Sequence, residues 1–161
     1  MRRVMMNVAA AAALVLGTSA LASAQTIRLT AVLSGSNETP AIVVTGATGT
    51  AEVFVNLATQ AVTYTVNVFN LPSGAVGGHF HVGGPGAGGP VVVNLTPPAN
   101  ISNDFTLSGT VAQSALIARP EQGIRTWEDF IQALVGGQVY VNIHSAVNPG
   151  GETRGQLTVT P

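Results

Sequence analysis

Apolar residues recur at every second position in a series of short runs along this chain. Ile27, Leu29, Ala31 and Leu33 alternate with polar neighbours, as do Ala51, Val53, Val55 and Leu57, and then Val62, Tyr64, Val66 and Val68. Further runs cover Val76 to Val82, Val91 to Leu95, Phe105 to Val111, Val139 to Ile143 and Leu157 to Val159. A period of two marks a strand with one buried and one solvated face. About eight such strands predict an all-β, Greek-key-like antiparallel β-sandwich or barrel. Ala58-Thr59-Gln60 reads as a hairpin link between antiparallel neighbours, and Leu71-Pro72-Ser73-Gly74 marks the next turn.

The pattern switches to helical spacing once. Thr126 is placed to cap a helix, Asp129 completes the capping-box spacing, and Trp127, Phe130, Ile131 and Leu134 form an apolar stripe that Gly136-Gly137 ends. This short helical insert is expected to plug one end of the sandwich. A smaller helical turn is expected over Ser114 to Ala118, before Pro120.

Arg2-Arg3, the apolar run from Val4 to Leu16 and the small residues Ala22-Ser23-Ala24 have the layout of a secretory signal peptide, with cleavage expected after Ala24. Removing 24 of the 161 residues leaves 137, the size of a single domain over residues 25–161. No later stretch reads as a membrane span. With no cysteine, stability must come from packing without disulfides, and thiol chemistry is excluded. Methionine occurs only at Met1, Met5 and Met6, inside the expected leader, which excludes a cysteine–methionine copper site.

Charge is sparse. Beyond residue 24 stand Arg28, Arg119, Arg125 and Arg154 against Glu38, Glu52, Asp104, Glu121, Glu128, Asp129 and Glu152, a net charge of −3 with no lysine. Four scattered arginines make no phosphate-binding footprint, so no nucleic-acid partner is expected.

Candidate chemistry lies in Gly77-Gly78-His79-Phe80-His81-Val82. On a strand His79 and His81 share one face, opposite Val76, Phe80 and Val82, about 6.6 Å apart along the backbone. Two imidazoles can close that gap to share one metal ion, although a hydrogen-bonded or purely surface histidine satisfies the same pattern. His144 repeats the arrangement, because Val139, Val141 and Ile143 alternate against Tyr140, Asn142 and His144. All three imidazoles are therefore expected on the unburied side of their strands, in an open pocket of the outer wall. The following loop, Gly83 to Pro90, contains a formal G-x-G-x-x-G at Gly84, Gly86 and Gly89. A strand follows it where a nucleotide-binding loop needs a helix, so the match is read as chance. No G-x-S-x-G elbow supports a hydrolase.

Several segments in order resemble the CHRD domain, named after chordin. They are Leu33-Ser34-Gly35 with Glu38-Thr39-Pro40, Thr48-Gly49-Thr50-Ala51, Gly78-His79-Phe80-His81 with Gly89-Pro90-Val91-Val92, and Tyr140-Val141-Asn142-Ile143-His144. Asn148-Pro149-Gly150-Gly151-Glu152-Thr153-Arg154-Gly155-Gln156-Leu157 completes the set. The stretch from Ala118 to Trp127 is longer than in compact members. The resemblance implies a secreted all-β module, single in many bacterial proteins and in tandem in chordin.

A second likeness, to copper-zinc superoxide dismutase, implies copper ligation by His79, His81 and His144 and an anion-steering role for Arg154. The chain has no fourth histidine to bridge two metals, no zinc-ligand loop and no disulfide. Fold likeness alone does not carry activity. The expectation is an exported, non-catalytic binding module with a Cu(II) or Zn(II) site at His79, His81 and His144. Glu38 or Glu152 would be a fourth ligand or outer partner, and Arg154 an anion contact or a turn-closing hydrogen bonder. The alternatives are a dismutase-like copper redox enzyme and a metal-free module that binds an extracellular protein. Asn37-Glu38-Thr39, Asn94-Leu95-Thr96 and Asn100-Ile101-Ser102 fit the glycosylation pattern.

Overall fold

A computed structural model describes residues 25–97 and 103–161. The expected leader and the triplet at Asn100 lie outside them. Among the described residues nine strands form the frame: β1 (Thr26–Ser34), β2 (Thr48–Asn56), β3 (Ala61–Leu71), β4 (Ala75–Val82), β5 (Val91–Leu95), β6 (Asn103–Val111), β7 (Val139–Ser145), β8 (Thr153–Gln156) and β9 (Thr158–Thr160). They pair in the order β5-β4-β7-β8-β1-β2-β3-β6, with β9 also on β1. Every pairing is antiparallel. The result is the expected all-β architecture, a nearly closed barrel-like sheet.

The seam between its two halves is where the sequence pattern misplaces the last strand. The run Leu157 to Val159 predicts one strand, but the chain pairs with β7 over Thr153–Gln156 and with β1 over Thr158–Thr160. Leu157 sits fully buried at the bend between them. A strand that changes partner at a bend joins two sheets at a corner. Thr153-Arg154-Gly155-Gln156 carries no aliphatic side chain, so alternation could not reveal β8. Gly155 is required there: a methyl on it would lie 2.8 Å from the Val32 carbonyl oxygen and 3.0 Å from Ala31 Cβ.

Most inward positions follow the predicted parity; Val76, expected beside Phe80 and Val82, is 59 % exposed because the β4–β7 register shifts between Ala75 and Gly77, and Leu57 and Val159 at strand ends are exposed as well. Leu29 and Leu33 of β1, Val53 and Val55 of β2, Val62, Val66 and Val68 of β3, Phe80 of β4 and Val139, Val141 and Ile143 of β7 form one buried core. Phe80 meets Tyr64 edge-on across the interior, with ring centroids 5.8 Å apart. Burial of such side chains, each worth about 1.5–3 kcal/mol, is what a cysteine-free domain must rely on.

Helix α1 (Trp127–Val135) forms as the capping signals predict. Thr126 Oγ1 accepts from the Asp129 N–H at 3.1 Å, and Asp129 Oδ2 accepts from the Thr126 N–H at 2.9 Å. Its buried stripe places Phe130 6.4 Å from Phe80, while Trp127 Nε1 donates to the Gln60 carbonyl in the β2–β3 turn. The helix thus covers the end of the barrel at that hairpin. The smaller helical turn lies at Gln113–Ala115, and a second turn at Pro120–Gln122 falls inside the long insert. Ile117 N–H and Arg119 Nε bond the Val92 and Val91 carbonyls, fastening the insert along β5. Among the described residues no helix is long and apolar enough to cross a membrane.

Candidate metal centre

Register brings the three histidines to one outward face. His79 lies opposite Asn142, His81 opposite Tyr140 and His144 opposite Gly77, while Asn142 and Tyr140 face Arg154 and Gln156 on β8. Gly77 supplies room: a methyl on it would lie 2.9 Å from His79 Cε1, so the ring occupies space that any larger residue would fill. One ring nitrogen from each histidine lies within 4.8 Å of the other two. The His79 and His144 ring centroids are 4.6 Å apart, and those of His79 and His81 5.4 Å.

The parity of the histidines is as expected, but their exposure is not. His81 and His144 are each only 8 % exposed, and all seven residues of β7 are buried. The outer wall predicted to be open is covered over His81 and His144, with His79 left half-buried, because loops fold back over it. Gly83 to Pro90 reaches Tyr140, whose hydroxyl donates to the Gly89 carbonyl and accepts from the Gly89 N–H. Asn148 to Gly151 folds over the far end, and Glu38 arrives from the segment after β1 to accept from Asn142 Nδ2 at 3.3 Å. Alternation reads one strand at a time and is silent about a cover supplied by distant loops.

Two of those loops also fix the imidazoles. His81 Nδ1–H donates to the Gly89 carbonyl at 2.9 Å, and His144 Nδ1–H donates to the Pro149 carbonyl at 3.0 Å. A carbonyl only accepts, so Nδ1 carries the proton in both rings and each Nε2 keeps its lone pair. His81 Nε2, His144 Nε2 and His79 Nδ1 are buried without a hydrogen-bond partner. Burial, with smaller effects from His144 and His81, holds the His79 pKa down to about 4. Burial also lowers His81 and His144, against the opposing pull of their bonds to Gly89 and Pro149. At neutral pH the trio is uncharged, the state in which imidazole ligates a metal.

The other three candidate residues lie outside this donor cluster. Burial raises Glu38 to about 7, outweighing the Asn142 hydrogen bond and the Arg154 charge, and its Oε1 has no partner. Glu152 accepts from Ser145 Oγ and Asn148 Nδ2, both at 2.6 Å, which ties the β7–β8 loop together. Burial pushes Glu152 upward, but bonds from Ser145, Thr45 and Asn148 prevail and hold it below the ordinary carboxylate value.

Arg154 is buried and hydrogen-bonded within the fold. It is 2 % exposed, with Nη1 donating to Thr39 Oγ1 at 2.7 Å and Nη2 to the Gly84 and Ala87 carbonyls at 3.2 and 2.7 Å. Its guanidinium lies 3.5 Å from the Tyr140 ring centroid, and Tyr140 stacks on His81 at 4.9 Å. These donors hold the Gly83–Pro90 loop in place.

Sequence reasoning passed over Gly77, Tyr140, Asn142, Gly89 and Pro149. Tyr140 and Asn142 share the parity of His144 and were open to discovery on that ground; the accepting carbonyls of Gly89 and Pro149 carry no side-chain signal. The antiparallel frame thus carries the histidine cluster on one loop-covered face. Residues 29–157 match the CHRD domain, and the chain belongs to that family. Comparison with curated proteins and with solved structures finds no match.

Proposed function

We propose that this chain is an exported, non-catalytic binding module in which His79, His81 and His144 hold one copper or zinc ion. The observation that carries the reading is the set of three buried, unpartnered ring nitrogens on converging imidazoles. A buried polar atom without a partner costs about 1–3 kcal/mol, so three in one cluster call for a common ligand. A tetrahedral ion about 2.0–2.1 Å from each nitrogen would set them about 3.3 Å apart. Closing the widest pair, at most 4.8 Å, therefore takes about 1.5 Å of side-chain movement. The Gly89 and Pro149 carbonyls act as the outer partners that hold ligand rings in one tautomer.

The test is metal retention by purified, metal-free protein offered Cu(I), Cu(II) and Zn(II) in turn, with elemental analysis after gel filtration. One equivalent of at least one ion is expected on the native chain and none on His81→Ala, with circular dichroism confirming that the variant folds. Equal, weak uptake by both proteins would sink the site.

A second reading is a protein-binding role for the loops. Ile42, Val44 and Val147 are exposed aliphatics at 66, 96 and 67 %, and the segments that carry them border a groove of about 270 Å³ beside Glu38. Aliphatic loop positions on a rigid sandwich suit a partner surface. Loss of a reproducible partner on Ile42→Ser/Val44→Ser, with metal uptake unchanged, is the expected outcome for that role.

A further inference from the structure

We infer that the three-histidine site takes copper as Cu(I) in preference to Cu(II) or Zn(II), an inference that rests on the trio being a metal site at all. The donor set has no charge of its own. Three imidazoles make up the cluster, and among the described residues no Asp or Glu belongs to it. Glu38 Oε2 is bonded to Asn142 and Glu152 Oε2 to Ser145 and Asn148, while the second oxygen of each has no partner and neither joins the cluster. The groups that orient His81 and His144 are backbone carbonyls, where many metal sites place a carboxylate. The fixed charge reached through the ligand rings is positive: His81 stacks on Tyr140, and Arg154 lies on the same Tyr140 ring.

Burial turns this charge balance into selectivity. The cost of moving an ion out of water grows with the square of its charge, so a dication among neutral donors is penalised far more than a monocation. Coordination number acts in the same direction. Zn(II) takes four ligands and Cu(II) a tetragonal set, each with a strong demand for a fourth donor. The loops that leave His81 and His144 only 8 % exposed limit the water available to supply it. Cu(I), with a filled d shell and a single charge, is satisfied by three nitrogens.

The decisive experiment is a competition titration of the metal-free native chain. Cu(I) is titrated without oxygen against a chromophoric Cu(I) chelator, and Cu(II) and Zn(II) against chelators suited to each. Cu(I) is expected at one equivalent and at least a hundredfold tighter than Cu(II), which raises the bound Cu(II)/Cu(I) potential by about 120 mV. His81→Ala and His144→Ala are expected to lose that uptake. X-ray absorption of the Cu(I)-loaded native chain gives a readout that needs no variant and is expected to show three nitrogen donors at about 2 Å. Cu(II) or Zn(II) binding as tightly as Cu(I) overturns the selectivity and leaves the site standing. Failure of all three ions to bind overturns the site itself.

Discussion

On the outward side of β1, β2, β3, β6 and β9, register sets Thr158, Thr30, Glu52, Thr65 and Ser108 side by side in one row. On the outward side of β4, β7 and β8 it sets His79 beside Asn142 and Arg154, and His81 beside Tyr140 and Gln156. Both faces arise from the same period of two over the same core. The first lies open: Thr50, Ser108 and Thr158 are exposed, and the Arg28–Glu52 pair at 2.6 Å is half in solvent. Such polar groups satisfy one another or water, as in the Thr106–Asn67–Thr50 chain. The second is roofed, and there Glu38, His79, His81, Asn142 and His144 each keep an unpartnered buried atom. Unmet polar capacity accumulates where loops exclude water, and it is there that a ligand gains most by binding.

The sharpest way to break this contrast is to pry up the roof. Gly151 has φ 141°, and a methyl on it would lie 2.7 Å from Glu38 Oε2 and 2.8 Å from Asn142 Nδ2. Gly151→Val is expected to cost about 3 kcal/mol or more, since strained backbone and an overfilled site act together. Thr65→Ala on the open face is expected to stay within about 0.5 kcal/mol. Urea unfolding midpoints at constant slope measure both.

Next in size is the effect of filling the site. A metal ion at a hundred times its dissociation constant stabilises the fold by about 2.7 kcal/mol. The gain should vanish in His144→Ala and persist in Thr65→Ala, as thermal melts with and without metal will show. Arg154→Lys follows, at about 2 kcal/mol. An ammonium cannot reproduce the planar fork that reaches Thr39, Gly84 and Ala87 while lying on Tyr140. Metal affinity should fall with it, because the loop it holds supplies the Gly89 carbonyl to His81. Arg28→Ala, which removes the exposed pair, is expected to cost less than about 1 kcal/mol.

The contrast also explains what the chain's pattern did and did not disclose. Alternation located most of the frame because each of those strands buries aliphatic residues on one side, and Thr126 with Asp129 announced the helix through its caps. It also set His79, His81 and His144 on the outward face. It missed β8, whose Thr153-Arg154-Gly155-Gln156 is buried without an apolar pattern. It missed the roof as well, since a loop's resting place depends on long-range bonds such as Arg154 to Ala87, made between residues far apart in sequence. The burial of Arg154 is illegible for the same reason: an arginine is normally exposed, and only the assembled loops bury it.

A pH-dependent effect isolates the cost of covering a carboxylate. Glu38 has its folded pKa raised from 4.5 to about 7, chiefly by burial. The folded state therefore holds that proton longer than the unfolded chain, and this contribution is fully present below about pH 4.5 and lost as pH rises towards 7. His79 acts in the opposite sense: with a folded value of about 4 against 6.5, it lowers stability as pH falls through that window. Comparing Glu38→Gln with the native chain separates the two, because the histidine contribution is common to both. The variant should match the native protein near pH 4.5 and gain steadily to about pH 7, then run parallel. The gain is expected to be on the order of 1 kcal/mol, since partial relaxation blunts the cost of a covered charge. A difference that does not change with pH would mean that water reaches Glu38 freely, and the roof would then be no more closed than the threonine face.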